Sequence, residues 1–242
     1  MKKGTFKGLL FREFYIARKN YGYNLISYFA IAFIGLMALL SYECGNLNRY
    51  THLINADLKS IIDAMIKFTP AFTGTVFFGG SSDATPNDEK TAWRRFRTAS
   101  PVTPFRLALA KYVCLFLTLI ISFALTFGWL GLYSLLTGTS LSKMDLGITM
   151  TIYTVSVIVI IYMQNIIIWV RTLERTIIIL MITVYGATIP ILLNNPELLT
   201  TEGLDKLTGL CIKLIPFTPL IILATFVLGI LCTTILYRRR EK

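Results

Sequence analysis

Six apolar stretches recur along this 242-residue chain, and five of them carry no charged residue. They cover about 23–40, 61–80, 112–136, 146–170, 177–193 and 216–237. An uncharged apolar run of about 18 residues or more reads as a transmembrane helix, because a rise of about 1.5 Å per residue then crosses a hydrocarbon core of about 30 Å. The fifth run, of 17 residues, is marginal. Charged residues make up 15% of the chain, against roughly a quarter in a soluble domain. This excludes a soluble enzyme, a disordered protein and a secreted disulfide scaffold. The expected fold is all-α: one polytopic membrane domain over 1–242 with six transmembrane helices.

The net charge of +11 would suit a nucleic-acid binder if it formed a patch. Instead the Lys and Arg residues lie between the apolar runs, where they set topology, so no nucleic-acid partner is expected. The N-terminal segment, the loop after the second run, the turn after the fourth and the C-terminal tail together hold eighteen of them. The three segments on the opposite side hold five. By the positive-inside rule both termini are cytoplasmic. The first run follows some twenty polar and basic residues and is too long for a signal h-region, so no cleaved leader is expected.

Three segments between the runs have patterns of their own. Over 3–19, Phe6, Leu9, Leu10, Phe14 and Ala17 recur at helical spacing with Lys7, Arg12, Arg18 and Lys19 elsewhere on the wheel. This predicts an N-terminal amphipathic helix in the cytoplasmic interface, its bases near anionic lipid headgroups. Two residues break the pattern: Glu13 falls toward the apolar face and Phe11 toward the polar one. Between Ser81 and Lys111, Asn87 or Asp88 is a fitting N-cap, Asp88 and Glu89 suit the first turn, and Pro101 stops the helix. The helix would expose Trp93, Phe96, Arg94, Arg95 and Arg97, a composition that suits either a protein docking hot spot or a membrane-surface anchor. Finally, Asn194–Ile215 opens on a turn signal, Asn194-Asn195-Pro196, and continues with leucines among Glu202, Asp205, Lys206 and Lys213 as an outer amphipathic segment.

Chemistry-bearing motifs are few. There is no G-x-x-x-x-G-K-[ST] phosphate loop, and His52 is the one histidine, so no His-based metal site or catalytic dyad is available. The four cysteines lack metal-ligand spacing; Cys114 and Cys232 lie within spans, and Cys44 and Cys211 share the outer side, where they could pair. Neither catalytic residues nor a metal are assigned. Asp63 and Lys67 are the two charges placed inside a run, four residues apart on one helix face. They read as a polar pathway, or as interfacial residues if the span starts nearer Met65. Tyr162, Gln164 and Asn165 form a second polar spot suited to helix–helix hydrogen bonding. Pro190 falls within the fifth run.

The sequence Asp88-Glu89-Lys90, then Trp93, Phe96, Ser100-Pro101-Val102 and Lys111-Tyr112, resembles the cytoplasmic loop of ABC-2 type transporter permeases. The small size is most similar to permeases that export amphipathic peptides, such as phenol-soluble modulin exporters, or to lantibiotic immunity permeases. The Thr103-Pro104-Phe105-Arg106 stretch departs from the family's usual sequence after the proline corner. The resemblance implies a half-size permease in the plasma membrane, paired with a second copy of itself and with a separate ABC ATPase subunit. ATP and magnesium would be used by that partner, so this chain would be no enzyme and need no cofactor. Asp88, Glu89, Trp93, Arg94, Arg95, Phe96, Arg97 and Pro101 would form the coupling helix, with Arg171 and Arg175 as a smaller contact. Asp63 and Lys67 would belong to the substrate path, lined by spans one, two and five. The rival reading is a secondary transporter or channel subunit.

The charge bias makes a direct prediction. In a variant without native cysteines, a membrane-impermeant thiol reagent applied outside should label Glu202→Cys and spare Lys90→Cys. The reverse pattern would invert the topology.

Overall fold

The computed structural model describes residues 4–44, 68–69, 71, 74–75, 102–138, 140–170, 173–194, 206, 209–210 and 212–241. All the regular structure among them is helical. α1 runs Gly4–Glu43, α2 Pro104–Thr137, α3 Lys143–Val170 and α4 Leu173–Asn194; a short 3₁₀ turn, Ile215–Phe217, leads into α5, Thr218–Glu241. Three stretches among the described residues are long and apolar enough to cross a membrane: Pro104–Leu136, Lys143–Val170 and Ile212–Arg239. Shorter apolar stretches cover Tyr21–Met37 in α1 and Arg175–Gly186 in α4. The run at 61–80 lies mostly outside the described residues, which include helical residues at 68–69, 71 and 74–75.

Local chemistry sets the helix ends. Pro104 occupies the first turn of α2, where its missing N–H has no intrahelical partner to lose. Gly138 ends α2 at φ 65°, in the left-handed region that glycine enters without steric cost. Before α3, the Ser142 backbone N–H and hydroxyl both donate to Asp145 Oδ2, at 3.1 and 2.8 Å, and the Asp145 N–H donates back to Ser142 Oγ at 3.0 Å. This reciprocal box satisfies orphan donors at the helix start.

One boundary differs from expectation. The sequence pattern separates an interfacial helix over 3–19 from a first span at 23–40, yet α1 is one helix of 40 residues. No proline interrupts it, and the Tyr21 hydroxyl beside the expected junction is 2.8 Å from Thr118 Oγ1 of α2. The predicted apolar face also meets protein. Leu9 packs with Leu107, Ala110, Ile168 and Tyr237, with Phe6 against the same cluster.

The main core joins α2, α3 and α5. Tyr112, Leu115 and Leu119 meet Tyr153, Val157 and Ile161, and Phe226 closes the cluster. The Phe226 ring stands edge-on to Tyr112 and Phe116, with centroids 6.1 and 5.5 Å away, and Phe123 stacks on Tyr153 at 4.2 Å. α1 packs along α2, while α4 packs on α3 and leaves Ile178, Met181, Ile182 and Tyr185 exposed. Such a bare apolar surface suits hydrocarbon as its solvent.

One close helix contact is at Gly229 of α5. A Cβ there would lie 2.6 Å from Tyr112 Cε1 and 2.7 Å from Ile161 Cγ2. Gly229→Ala should therefore push Tyr112 out of place and destabilise by about 1–3 kcal/mol, the usual range for overpacking. Gly128→Ala, where a Cβ meets nothing within 4 Å, should be neutral. Thermal melts of both variants in one detergent check this.

Candidate functional site

Of the residues that the sequence singles out, Asp63, Lys67, Asp88, Glu89, Trp93, Arg94, Arg95, Phe96, Arg97, Pro101 and Arg171 lie outside the described residues. Arg175 is exposed in the first turn of α4. Cys44 is a free thiol, as are buried Cys114 and exposed Cys232, while Cys211 lies outside the described residues. Pro190 is inside α4.

A buried polar ladder is the main site that the structure assembles. Lys111, Cys114, Thr118, Ser122 and Thr126 recur every three or four residues along α2, which places them on one face, and all five are buried. The rungs meet side chains of neighbouring helices in turn. At the first, Lys111 Nζ is 4.0 Å from Glu13 Oε2 of α1, and Arg12 Nη1 donates to Glu13 Oε1 at 2.9 Å. Glu13 and Lys111 are each 2% exposed. Burial lowers the pKa of the Arg12 guanidinium, against the opposing pull of Glu13.

Higher on the ladder the groups are neutral. Tyr21 Oη sits 2.8 Å from Thr118 Oγ1 and 3.6 Å from Cys114 Sγ. Thr118 donates its own proton to the Cys114 carbonyl at 2.8 Å. The next two rungs converge on Tyr153 of α3, whose hydroxyl donates to the Ser122 carbonyl at 2.9 Å and lies 2.6 Å from Thr126 Oγ1. Ser122 Oγ donates to the Gly74 carbonyl, so this rung also holds a residue of the second apolar run. A Cβ at Gly74 would collide with the Tyr153 hydroxyl, so glycine permits the approach.

A second polar knot ties α2, α3 and α5. Thr233 Oγ1 donates to Asn165 Oδ1 at 2.9 Å and lies 3.1 Å from Tyr112 Oη. Asn165 Nδ2 donates to the Ile161 carbonyl at 2.9 Å. Tyr162 Oη is 3.1 Å from Thr183 Oγ1 of α4. The helix-bridging role expected for Tyr162 and Asn165 is what their geometry shows. Gln164 differs: it is fully buried, and neither amide atom has a hydrogen-bond partner. Thr149 Oγ1 is likewise unpartnered.

The ladder serves adhesion better than bond-making chemistry. Among the described residues, the bonds of its hydroxyls are to one another, to the Cys114 thiol or to carbonyls. Among the described residues no three His, Cys, Asp or Glu side chains gather into a metal-binding group. Periodicity missed the ladder because Thr, Ser and Cys pass as neutral spacers within an apolar run. Glu13 was signalled, as a carboxylate on an apolar face, but its partner is distant in sequence.

No protein-family model, curated protein or solved structure matches the chain.

The charge pair gives a graded prediction. Glu13→Ala leaves Lys111 buried without its carboxylate and should cost about 3–5 kcal/mol, the range for breaking one side of a buried pair. Glu13→Leu combined with Lys111→Met removes both charges and should be far milder. A double-mutant cycle on detergent melting midpoints measures the coupling.

Proposed function

We propose that this chain is the membrane subunit of an ATP-driven exporter of the ABC-2 permease type, moving amphipathic peptides or similar apolar substrates out of the cell. In this reading it has six spans with both termini cytoplasmic in the plasma membrane. Two copies form the pathway and two copies of a separate ABC ATPase power it. The ATPase supplies the nucleotide and magnesium chemistry, and this chain has no catalytic residue or cofactor of its own.

The observation that carries the reading is the 88–112 sequence, whose acidic turn, Trp93, Phe96, Ser100-Pro101 and Lys111-Tyr112 resemble the ATPase-contacting loop of that family. The place where this segment ends adds support. Lys111 sits beside Glu13 of α1, and Tyr112 beside Thr233 of α5 and Asn165 of α3. A displacement of the segment would therefore reach three other helices through buried side chains. That is what a permease needs when work arrives from a subunit outside the membrane. Arg171 and Arg175 would give the ATPase a second, smaller contact. Asp63 and Lys67 would lie on the substrate path, in the second span. Gly74, further along that apolar run, is bonded to Ser122 of α2.

Truncating both aromatic anchors tests the coupling helix. Buried interface aromatics cost about 2 kcal/mol or more each when removed. Trp93→Ala with Phe96→Ala should therefore weaken ATPase binding roughly thirtyfold or more, with insertion into the membrane unchanged. The measurements are co-purification with any ABC ATPase encoded beside this chain and substrate-stimulated ATP hydrolysis. Wild-type values for the double variant, or the absence of any associating ATPase, would overturn the assignment.

A further inference from the structure

We propose that the outward stripe Lys7, Phe11, Tyr15 and Arg18 of α1 is a binding surface for anionic phospholipid headgroups. The spacing of four, four and three residues puts the four side chains on one face, and all are exposed, Phe11 at 71%. The opposite face of this segment is occupied by protein, through Leu9, Glu13 and Ala17. Lipid therefore meets the face that carries Phe11, which the apolar periodicity had assigned to the polar side.

The stripe is arranged for a phosphate. Phe11 and Tyr15 stack with centroids 6.2 Å apart. Arg18 Cζ lies 3.9 Å from the Tyr15 ring centre, and Arg18 Nη2 donates to Tyr15 Oη at 3.1 Å. This fixes the guanidinium plane with one hydrogen bond and leaves its other N–H groups for a bidentate acceptor. Lys7 adds a second exposed cation on the same face, about three turns from Arg18 along the helix. Glu13, the one acid in residues 4–18, is buried on the other side, so nothing in the stripe repels an anion.

The rest of this end of the bundle favours lipid over a protein occupant. Leu9 packs with Leu107, Ile168 and Tyr237, which sets the starts of α1 and α2 level with the ends of α3 and α5. At that level Phe105, Trp169, Arg238 and Arg239 are also exposed, Trp169 at 67%. Aromatic and basic side chains of α2, α3 and α5 thus lie level with the Lys7–Phe11 end of the stripe, the pattern of a headgroup belt rather than of a single docking patch. The inference needs the chain to be a membrane protein and does not depend on the transport assignment.

The experiment uses the full chain, purified in detergent and delipidated. Phosphatidylglycerol or phosphatidylcholine is titrated in, and native mass spectrometry reads the lipid retained. Wild type should prefer phosphatidylglycerol. K7Q/R18Q should lose affinity for it roughly tenfold or more while phosphatidylcholine retention is unchanged. K143Q, at the opposite end of the bundle, should match wild type. A photoactivatable phosphatidylglycerol in nanodiscs should crosslink within residues 7–18 of the wild type, which keeps the test independent of any folding defect in the double variant. Undiminished lipid preference in a folded K7Q/R18Q, or crosslinks that avoid this segment, would overturn the proposal. So would loss of ATPase co-purification in K7Q/R18Q with lipid retention intact, since the stripe would then be a protein interface.

Discussion

Helices in hydrocarbon gain nothing from leaving lipid for one another, because lipid tails are as apolar as leucine. What holds this bundle is close approach and the hydrogen bonds it permits, and both centre on α2. Gly229 brings the α5 backbone against Tyr112, and the Tyr112 hydroxyl then reaches Thr233. Gly74 does the same opposite Tyr153, where its carbonyl accepts from Ser122. Each glycine removes a side chain so that a tyrosine can span the gap with its polar end satisfied. Individually such bonds contribute about 0.6 kcal/mol in membranes, so the bundle depends on having several in register along one face.

The charged rung follows a different logic. A carboxylate and an ammonium withdrawn from water pay a desolvation penalty that their attraction repays only with good geometry. The 4.0 Å separation of Lys111 and Glu13 is a loose contact, so the pair is weak evidence for added stability. Its value is positional: any slip of α1 along α2 would strand one of the charges. The pair therefore specifies register where the surrounding leucines and alanines are interchangeable.

Much of the fold was legible in the sequence. Three apolar runs appear as helices of membrane-crossing length because uncharged length is a property of each run alone. Pro104, Gly138 and the Ser142–Asp145 box mark helix ends that short-range chemistry dictates. The join between the two halves of α1 was not legible, since a shift from amphipathic to wholly apolar composition looks like a boundary when the backbone has none. The ladder was partly legible. Asn165 and Tyr162 declared themselves as polar residues in a span, whereas Thr118, Ser122 and Thr126 did not, because a hydroxyl can bond its own helix and hide. Glu13 registered as an irregularity, and only the packing of α1 on α2 explains it. The Asp63–Lys67 and 88–101 features fall outside the described residues, so their reading still rests on the sequence.

The attachments of α4 differ from those of its neighbours. Whereas α2, α3 and α5 interlock through shared aromatic and hydroxyl groups, α4 packs on α3, with the Tyr162–Thr183 pair bridging the two. Within it, Thr183 and Thr188 donate back to the carbonyls of Ile179 and Val184, and Pro190 has no N–H to give the Gly186 carbonyl. Cooperative folding units follow such shared side-chain contacts, and among the described residues those contacts tie α2, α3 and α5 to one another. Among the described residues the cross-links thus gather on α2, α3 and α5, and α4 joins them through α3.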